Sequence, residues 1–144
     1  IVSGHHRTLG DVLYSMNIHM DVIKQTQANG GITLRYTDGA AKQVGGDFWY
    51  FPAKPDNTMI VARQRLEPAY NEFVANNINA LATRGRYLGV WLNPDTDQYY
   101  FDITIRATTK ASALRYIARI NSVSQRQILA AFNPARNETL AAPN

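Results

Sequence analysis

The stretch that most limits what this chain can fold into runs from Tyr87 to Arg106. Leu88, Val90 and Leu92 alternate with Tyr87 and Trp91, a period of two that puts the aliphatic set on one side of a strand and the aromatics on the other. Asn93-Pro94-Asp95-Thr96-Asp97 is turn chemistry, because proline presets φ while Asn and Asp side chains bond nearby backbone. From Gln98 to Arg106 the alternation resumes. Tyr99, Phe101, Ile103 and Ile105 share one face, and Tyr100, Asp102, Thr104 and Arg106 share the other. Two such runs around a short polar loop predict a β-hairpin. Thr108 or Thr109 then offers an N-cap for a helix from about Lys110 to Ser122. Its apolar positions are Ala113, Leu114, Ile117, Ala118 and Ile120, with Arg115 and Arg119 on the polar side. A strand from Ile128 to Phe132, ended by Asn133-Pro134, completes a predicted ββαβ unit. Should the strands flanking the helix run parallel in one sheet, the crossover is expected to be right-handed.

Upstream, Thr8 and Asp11 form an approximate capping box. Leu9, Val12, Leu13, Met16, Met20 and Ile23 then make a helical stripe that Gly30-Gly31 ends. Ile32–Tyr36 reads as a strand followed by a Thr37-Asp38-Gly39 turn, and Gly45-Gly46-Asp47 as a flexible point. Phe48-Trp49-Tyr50-Phe51 is an aromatic strand ended by Pro52, and Met59–Ala62 is a shorter candidate. Leu66-Glu67-Pro68 opens a second helix whose stripe is Leu66, Tyr70, Phe73, Val74, Asn77, Ile78 and Leu81. The expected fold is α+β, an antiparallel or mixed sheet with helices packed on one face. Residues 1–134 read as a single domain and 135–144 as a peripheral tail.

The absence of cysteine removes disulfides, thiolate catalysis and cysteine metal sites. His5, His6 and His19 are the only histidines, and their spacing matches no metal motif, so no metal and no cofactor are expected. GxSxG and GxxxxGK[ST] are both missing, which takes away the usual signatures of a serine hydrolase and a phosphate-binding loop. No apolar run approaches the roughly 18 residues of a membrane span. The net charge of +4 and pI near 9.5 suit an anionic partner.

A set of motifs resembles one group of proteins. Gly30-Gly31-Ile32-Thr33-Leu34, Asn76-Asn77, Tyr87-Leu88-Gly89-Val90-Trp91 and Tyr100-Phe101-Asp102-Ile103-Thr104 are similar to segments of uncharacterised phage, prophage and actinobacterial proteins. Ala113-Leu114, Asn121, Gln127-Ile128 and Phe132-Asn133 fall near similar residues in that group. The resemblance spans about Gly30 to Asn133 and implies a mobile-element setting, in the host cytoplasm or the virion, without implying a reaction. The chain departs from the group at the helix after the hairpin, which is usually acidic there and here carries Lys110, Arg115 and Arg119.

Two residues are catalytic candidates: Asp102, which interrupts an apolar strand, and its face-mate Tyr100. A catalytic role for them needs a pocket and a shifted pKa. The expected function is contact without catalysis, with another protein or by self-association, and with no membrane partner. The alternative is nucleic-acid binding by Trp91, Tyr87, Tyr100, Arg106, Arg115 and Arg119, in which rings stack on bases and arginines hold phosphates. A small toxin-type enzyme is the third reading.

Overall fold

The computed structural model describes residues 21–37 and 40–143. Helix α1 covers residues 21–29 of that range, and Gly30 ends it with φ +75°. The turn expected at Asp38-Gly39, the capping box at Thr8 and the three histidines lie outside the described residues.

Eight strands form one sheet: β1 Gly31–Thr37, β2 Ala40–Gln43, β3 Trp49–Pro52, β4 Met59–Ala62, β5 Tyr87–Asn93, β6 Gln98–Ala107, β7 Ala130–Asn133 and β8 Glu138–Ala141. All their pairings are antiparallel, in the order β2-β1-β5-β6-β3-β7-β8, with β4 also on β6. The helices of the C-terminal two-thirds are α2 Leu66–Asn76, α3 Ile78–Leu81 and α4 Lys110–Ser122. The α+β class is therefore as the sequence predicts.

The hairpin β5–β6 is the centre of the sheet, and its register runs from Tyr87↔Thr104 to Asn93↔Gln98. The turn closes as its residue types demand: the Asp97 N–H donates to the Asn93 carbonyl at 2.8 Å and the Asp95 N–H to the Asn93 side chain at 3.0 Å. The far edge of β6 is shared. β3 covers Thr104 to Ala107, β4 covers Gln98 to Phe101, and residues 54–58 loop out between them. β3 and β4 thus act as one interrupted strand, and the interruption lies opposite Asp102 and Ile103.

Alternation sends Leu88, Val90, Tyr99 and Phe101 into a core with Ile32 and Leu34, which α1 closes with Val22 and Ile23 and α2 with Leu66, Tyr70 and Phe73. A second cluster joins Trp49, Phe51, Ala107 and Ala131 to Ala113 and Ile117 of α4. Both clusters lie on the same face of the sheet, and every described helix packs there. The Thr109 hydroxyl caps α4 by accepting from the Ser112 N–H at 3.1 Å.

Three expectations need correction. The second helix does not run unbroken. At Asn77 the side chain turns back to donate to the Phe73 carbonyl at 2.8 Å, which ends α2 before the short α3 begins. The closing strand of the ββαβ unit begins at Ala130 rather than Ile128 and pairs with β3, not with the hairpin. The stretch expected as a peripheral tail contributes β8, which pairs with β7 along its length and packs Leu140 against the second cluster. β2 went unread because Ala-Ala-Lys-Gln has neither alternation nor β-branched residues.

Candidate sheet-face site

The other face of the sheet carries the residues that alternation turns away from the two cores. Gly31, Thr33 and Arg35 come from β1, Lys42 from β2, and Tyr87, Gly89 and Trp91 from β5. β6 supplies Tyr100, Asp102, Thr104 and Arg106; β3 supplies Tyr50, β4 supplies Ile60 and β7 supplies Phe132. No described helix covers this face.

Register arranges these side chains in rows. Trp91 pairs with Tyr100, which pairs with Ile60, so an indole, a phenol and an aliphatic group stand side by side across β5, β6 and β4. The Trp91 and Tyr100 ring centroids are 5.3 Å apart at 60°, an edge-to-face contact. Trp91 is 52% exposed although its strand is interior to the sheet. A large apolar ring left in water in the middle of a sheet is the informative exception to burial.

A second group lies farther along the strands. Arg106 lays its guanidinium over the Phe48 ring at 3.8 Å and near the Tyr87 ring at 5.1 Å, and donates to the Tyr50 hydroxyl at 3.2 Å. Tyr50 in turn donates to the Gly45 carbonyl at 2.8 Å and stands edge-on to Tyr87 at 5.6 Å. Burial pushes the Tyr50 hydroxyl up, against the opposing pull of Arg106. Tyr87 is only 5% exposed, so it holds Arg106 in place rather than offering a ring to a partner. On β1 and β2, Arg35 and Lys42 face each other directly and both are exposed.

Between the rows the floor is low. The Thr104 hydroxyl leans over Gly89: a Cβ there would lie 2.4 Å from the Thr104 Oγ1, so a larger residue would force that side chain to move. Asp102 sits on this floor, opposite Gly89 and next to Tyr100 and Thr104 on its own face. It is the only carboxylate among the outward positions named above. The Thr58 hydroxyl, at the end of the looped-out segment, donates to its Oδ1. That segment is fixed to the α4–β7 connection, where the Asp56 carboxylate accepts from the Gln125 and Arg126 N–H groups at 3.2 and 2.7 Å and the Arg126 guanidinium donates to the Thr58 carbonyl at 2.8 Å. Burial pushes the Asp102 carboxyl up to about 6, against opposing pulls from the Thr58 hydroxyl and the Arg126 charge.

Of the residues expected to bind, the structure brings together Trp91, Tyr100, Tyr87 and Arg106 and sets Arg115 and Arg119 apart. These two arginines lie on α4, in the helical layer behind the sheet, where Arg115 donates to Ser112 at 3.2 Å and Arg119 lies over Tyr116 at 5.9 Å. The expected single surface of arginines and aromatics is therefore divided between two sides of the molecule. Sequence reasoning missed Arg35, Lys42, Phe132 and Thr58 as members of the face. The parity of Ile32, Leu34 and Tyr36 against Arg35 was a usable signal for the first; the others depend on strand pairing.

Of the catalytic candidates, Asp102 has the shifted carboxyl. A hollow of about 260 Å³ lies between Ala53–Asn57 and the end of α4, and another of about 190 Å³ between α1 and the β1–β2 edge. Neither is lined by Asp102 or Tyr100. Among the described residues no three His, Asp or Glu side chains converge as metal ligands, and no helix is long and apolar enough to cross a membrane. No family model, curated protein or solved structure matches this chain.

Proposed function

We propose that the protein acts by contact and not by catalysis, and that its open sheet face takes a single-stranded nucleic acid. The observation that carries this reading is the Trp91 indole, half exposed on an interior strand with Tyr100 beside it. Bases of any sequence can stack on such rings, and each stacked base contributes about 1–3 kcal/mol. Lys42 and Arg106 are exposed on the same face to meet phosphates, and the excess of basic residues favours a polyanion over a neutral partner. Along β5, Trp91 and Tyr87 are four residues apart, so the stacking row and the level of Arg35 are separated by about 13 Å, within reach of a few nucleotides. The reading also takes up the phage or prophage setting that the sequence motifs imply.

Fluorescence anisotropy of labelled single-stranded DNA, followed across a salt series, tests it. The wild type is expected to bind at low salt and to lose affinity steeply as salt rises. Trp91→Ala is expected to bind about tenfold or more weakly, with little change in melting temperature because the side chain is half in water. Absence of binding at low salt ends this reading.

A different observation favours a second reading, contact with another copy of the chain. Val123 and Leu129, in the connection between α4 and β7, are 84% and 80% exposed. Self-association through them predicts a sedimentation coefficient that rises with protein concentration, and a rise abolished by Leu129→Asp. A strict monomer at all concentrations rules it out.

A further inference from the structure

The open face carries a second exposed ring, far from Trp91. Phe132, on β7, is 43% exposed. Its chain neighbour Ala131 is buried in the second cluster, so alternation turns the Phe132 ring to the open side. Tyr50 on β3 pairs with Phe132 on one side and with Arg106 of β6 on the other, which sets ring and guanidinium in one row with a buried tyrosine between them. Arg106 is held there by rings and a hydroxyl: Phe48 at 3.8 Å, Tyr87 at 5.1 Å and the Tyr50 oxygen at 3.2 Å. It is exposed, and among the described residues no carboxylate pairs with it. Asp47, next to Phe48 in the chain, is engaged instead by Arg136 and Asn133, each at 2.8 Å. A cation fixed by aromatic packing and left without a counter-ion suits an anion brought by a partner.

We infer that Phe132 and Arg106 form a second nucleotide subsite, in which a base stacks on the Phe132 ring and a neighbouring phosphate meets the Arg106 guanidinium. The inference rests on the open-face reading above and adds to it the direction in which the strand crosses the sheet. Arginine suits the phosphate because its planar fork donates two parallel hydrogen bonds. Along β6, Tyr100 and Arg106 are six residues apart, about 20 Å, and β5 and β7 are separated by three strand spacings, about 14 Å. Trp91 and Phe132 therefore stand about 24 Å from each other along the diagonal of the sheet. A strand stacked as in a duplex advances about 3.4 Å per nucleotide and a stretched one about twice that, so about four to seven nucleotides link the two rings. That length lies within the usual range of single-strand sites, about 4–16 nucleotides. Two subsites on one strand reinforce each other, because binding at the first raises the local concentration at the second.

A thymidine trimer and a thymidine twelve-mer make the test, since the trimer reaches one subsite and the twelve-mer spans both. At low salt the wild type is expected to bind the twelve-mer about a hundredfold more tightly than the trimer. Phe132→Leu keeps an apolar side chain and removes the π face. It is expected to bind the twelve-mer about tenfold more weakly, while the trimer, taken by the Trp91–Tyr100 platform, changes by less than about twofold. Phe132→Trp restores a ring and is expected to match the wild type within about twofold. Arg106→Gln tests the phosphate contact independently of how the Phe132 variants fold: the slope of log affinity against log salt for the twelve-mer is expected to fall by about 0.7. Unchanged twelve-mer affinity in Phe132→Leu, or an unchanged slope in Arg106→Gln, overturns the inference and leaves the open-face reading standing through Trp91. If Phe132→Leu instead abolishes self-association and leaves DNA binding as it was, the ring belongs to a contact between copies and the inference falls. Absence of twelve-mer binding by the wild type overturns both.

Discussion

At pH 7.5, Asp102→Asn is expected to be more stable than the wild type by about 1–3 kcal/mol, the range set by a carboxyl raised by roughly two units at about 1.4 kcal/mol each and partly relieved by solvent. In the unfolded chain this carboxyl titrates near 3.8, and in the folded protein at about 6. Below the lower value both states hold the proton and the group favours the fold in full. As pH rises between the two, the unfolded chain ionises freely while the folded one resists, and that stability is lost; above about pH 7 the loss is complete. Asparagine does not titrate and still accepts from Thr58. The advantage of the variant should therefore be largest above pH 7 and fade below about pH 4. Asp47 and Asp56 act in the opposite sense. The Arg136 side chain beside Asp47 and the Arg126 N–H on Asp56 hold these carboxyls below the usual range, so what they contribute is lost as pH falls. They are common to both proteins and cancel in the difference. Urea denaturation of the two proteins at several pH values measures it; equal stability at pH 7.5 would show that burial of Asp102 carries no cost.

The second large effect belongs to the core. Phe101→Ala is expected to lose about 3–5 kcal/mol, the range for emptying a buried aromatic site. Phe101 is fully buried on the central strand, pairs with Val90 on one side and Met59 on the other, and its ring lies 5.7 Å from that of Phe73 on α2. Truncation removes contacts to the sheet and to the helical layer together, and the strands on both sides keep the backbone from collapsing into the space. Against a total stability of about 5–15 kcal/mol, such a loss removes a large share of the margin that keeps the protein folded. Circular dichroism melting gives the answer, and a shift corresponding to less than about 1 kcal/mol would mean that the core lies elsewhere. Trp91→Ala supplies the contrast: the bulkier residue on the neighbouring strand should cost the fold little, because its ring already stands half in water.

Only part of that contrast was legible in the sequence. Parity separates Leu88, Val90 and Leu92 from Tyr87 and Trp91 on one strand, and Tyr99 and Phe101 from Tyr100 and Asp102 on the other; the hairpin register aligns the two sets, and packing leaves Trp91 on the side away from the cores. Local rules also place the Asn93–Asp97 turn, the Thr109 cap and the stop at Gly30, since each depends on the residues within a few positions of it. What no local rule supplies is the choice of partner strand. β3 and β4 share one edge of β6, β7 turns to β3 instead of the hairpin, and β8 extends the sheet from a stretch without period. Such pairings are decided by which edges remain open once the rest of the chain has packed.

The site follows the same division. The sequence alone determined that Tyr100, Asp102 and Arg106 share one face of β6, and Tyr87 and Trp91 one face of β5, because a pleated strand alternates whatever surrounds it. Only the tertiary structure separated Arg115 and Arg119 from that face, by laying α4 behind the sheet, and only it brought Thr58 across 44 positions to Asp102. The physical reason is range. Side-chain parity is fixed within two residues, whereas burial, and with it the ionisation of a carboxyl, is set by every segment that comes to lie against it.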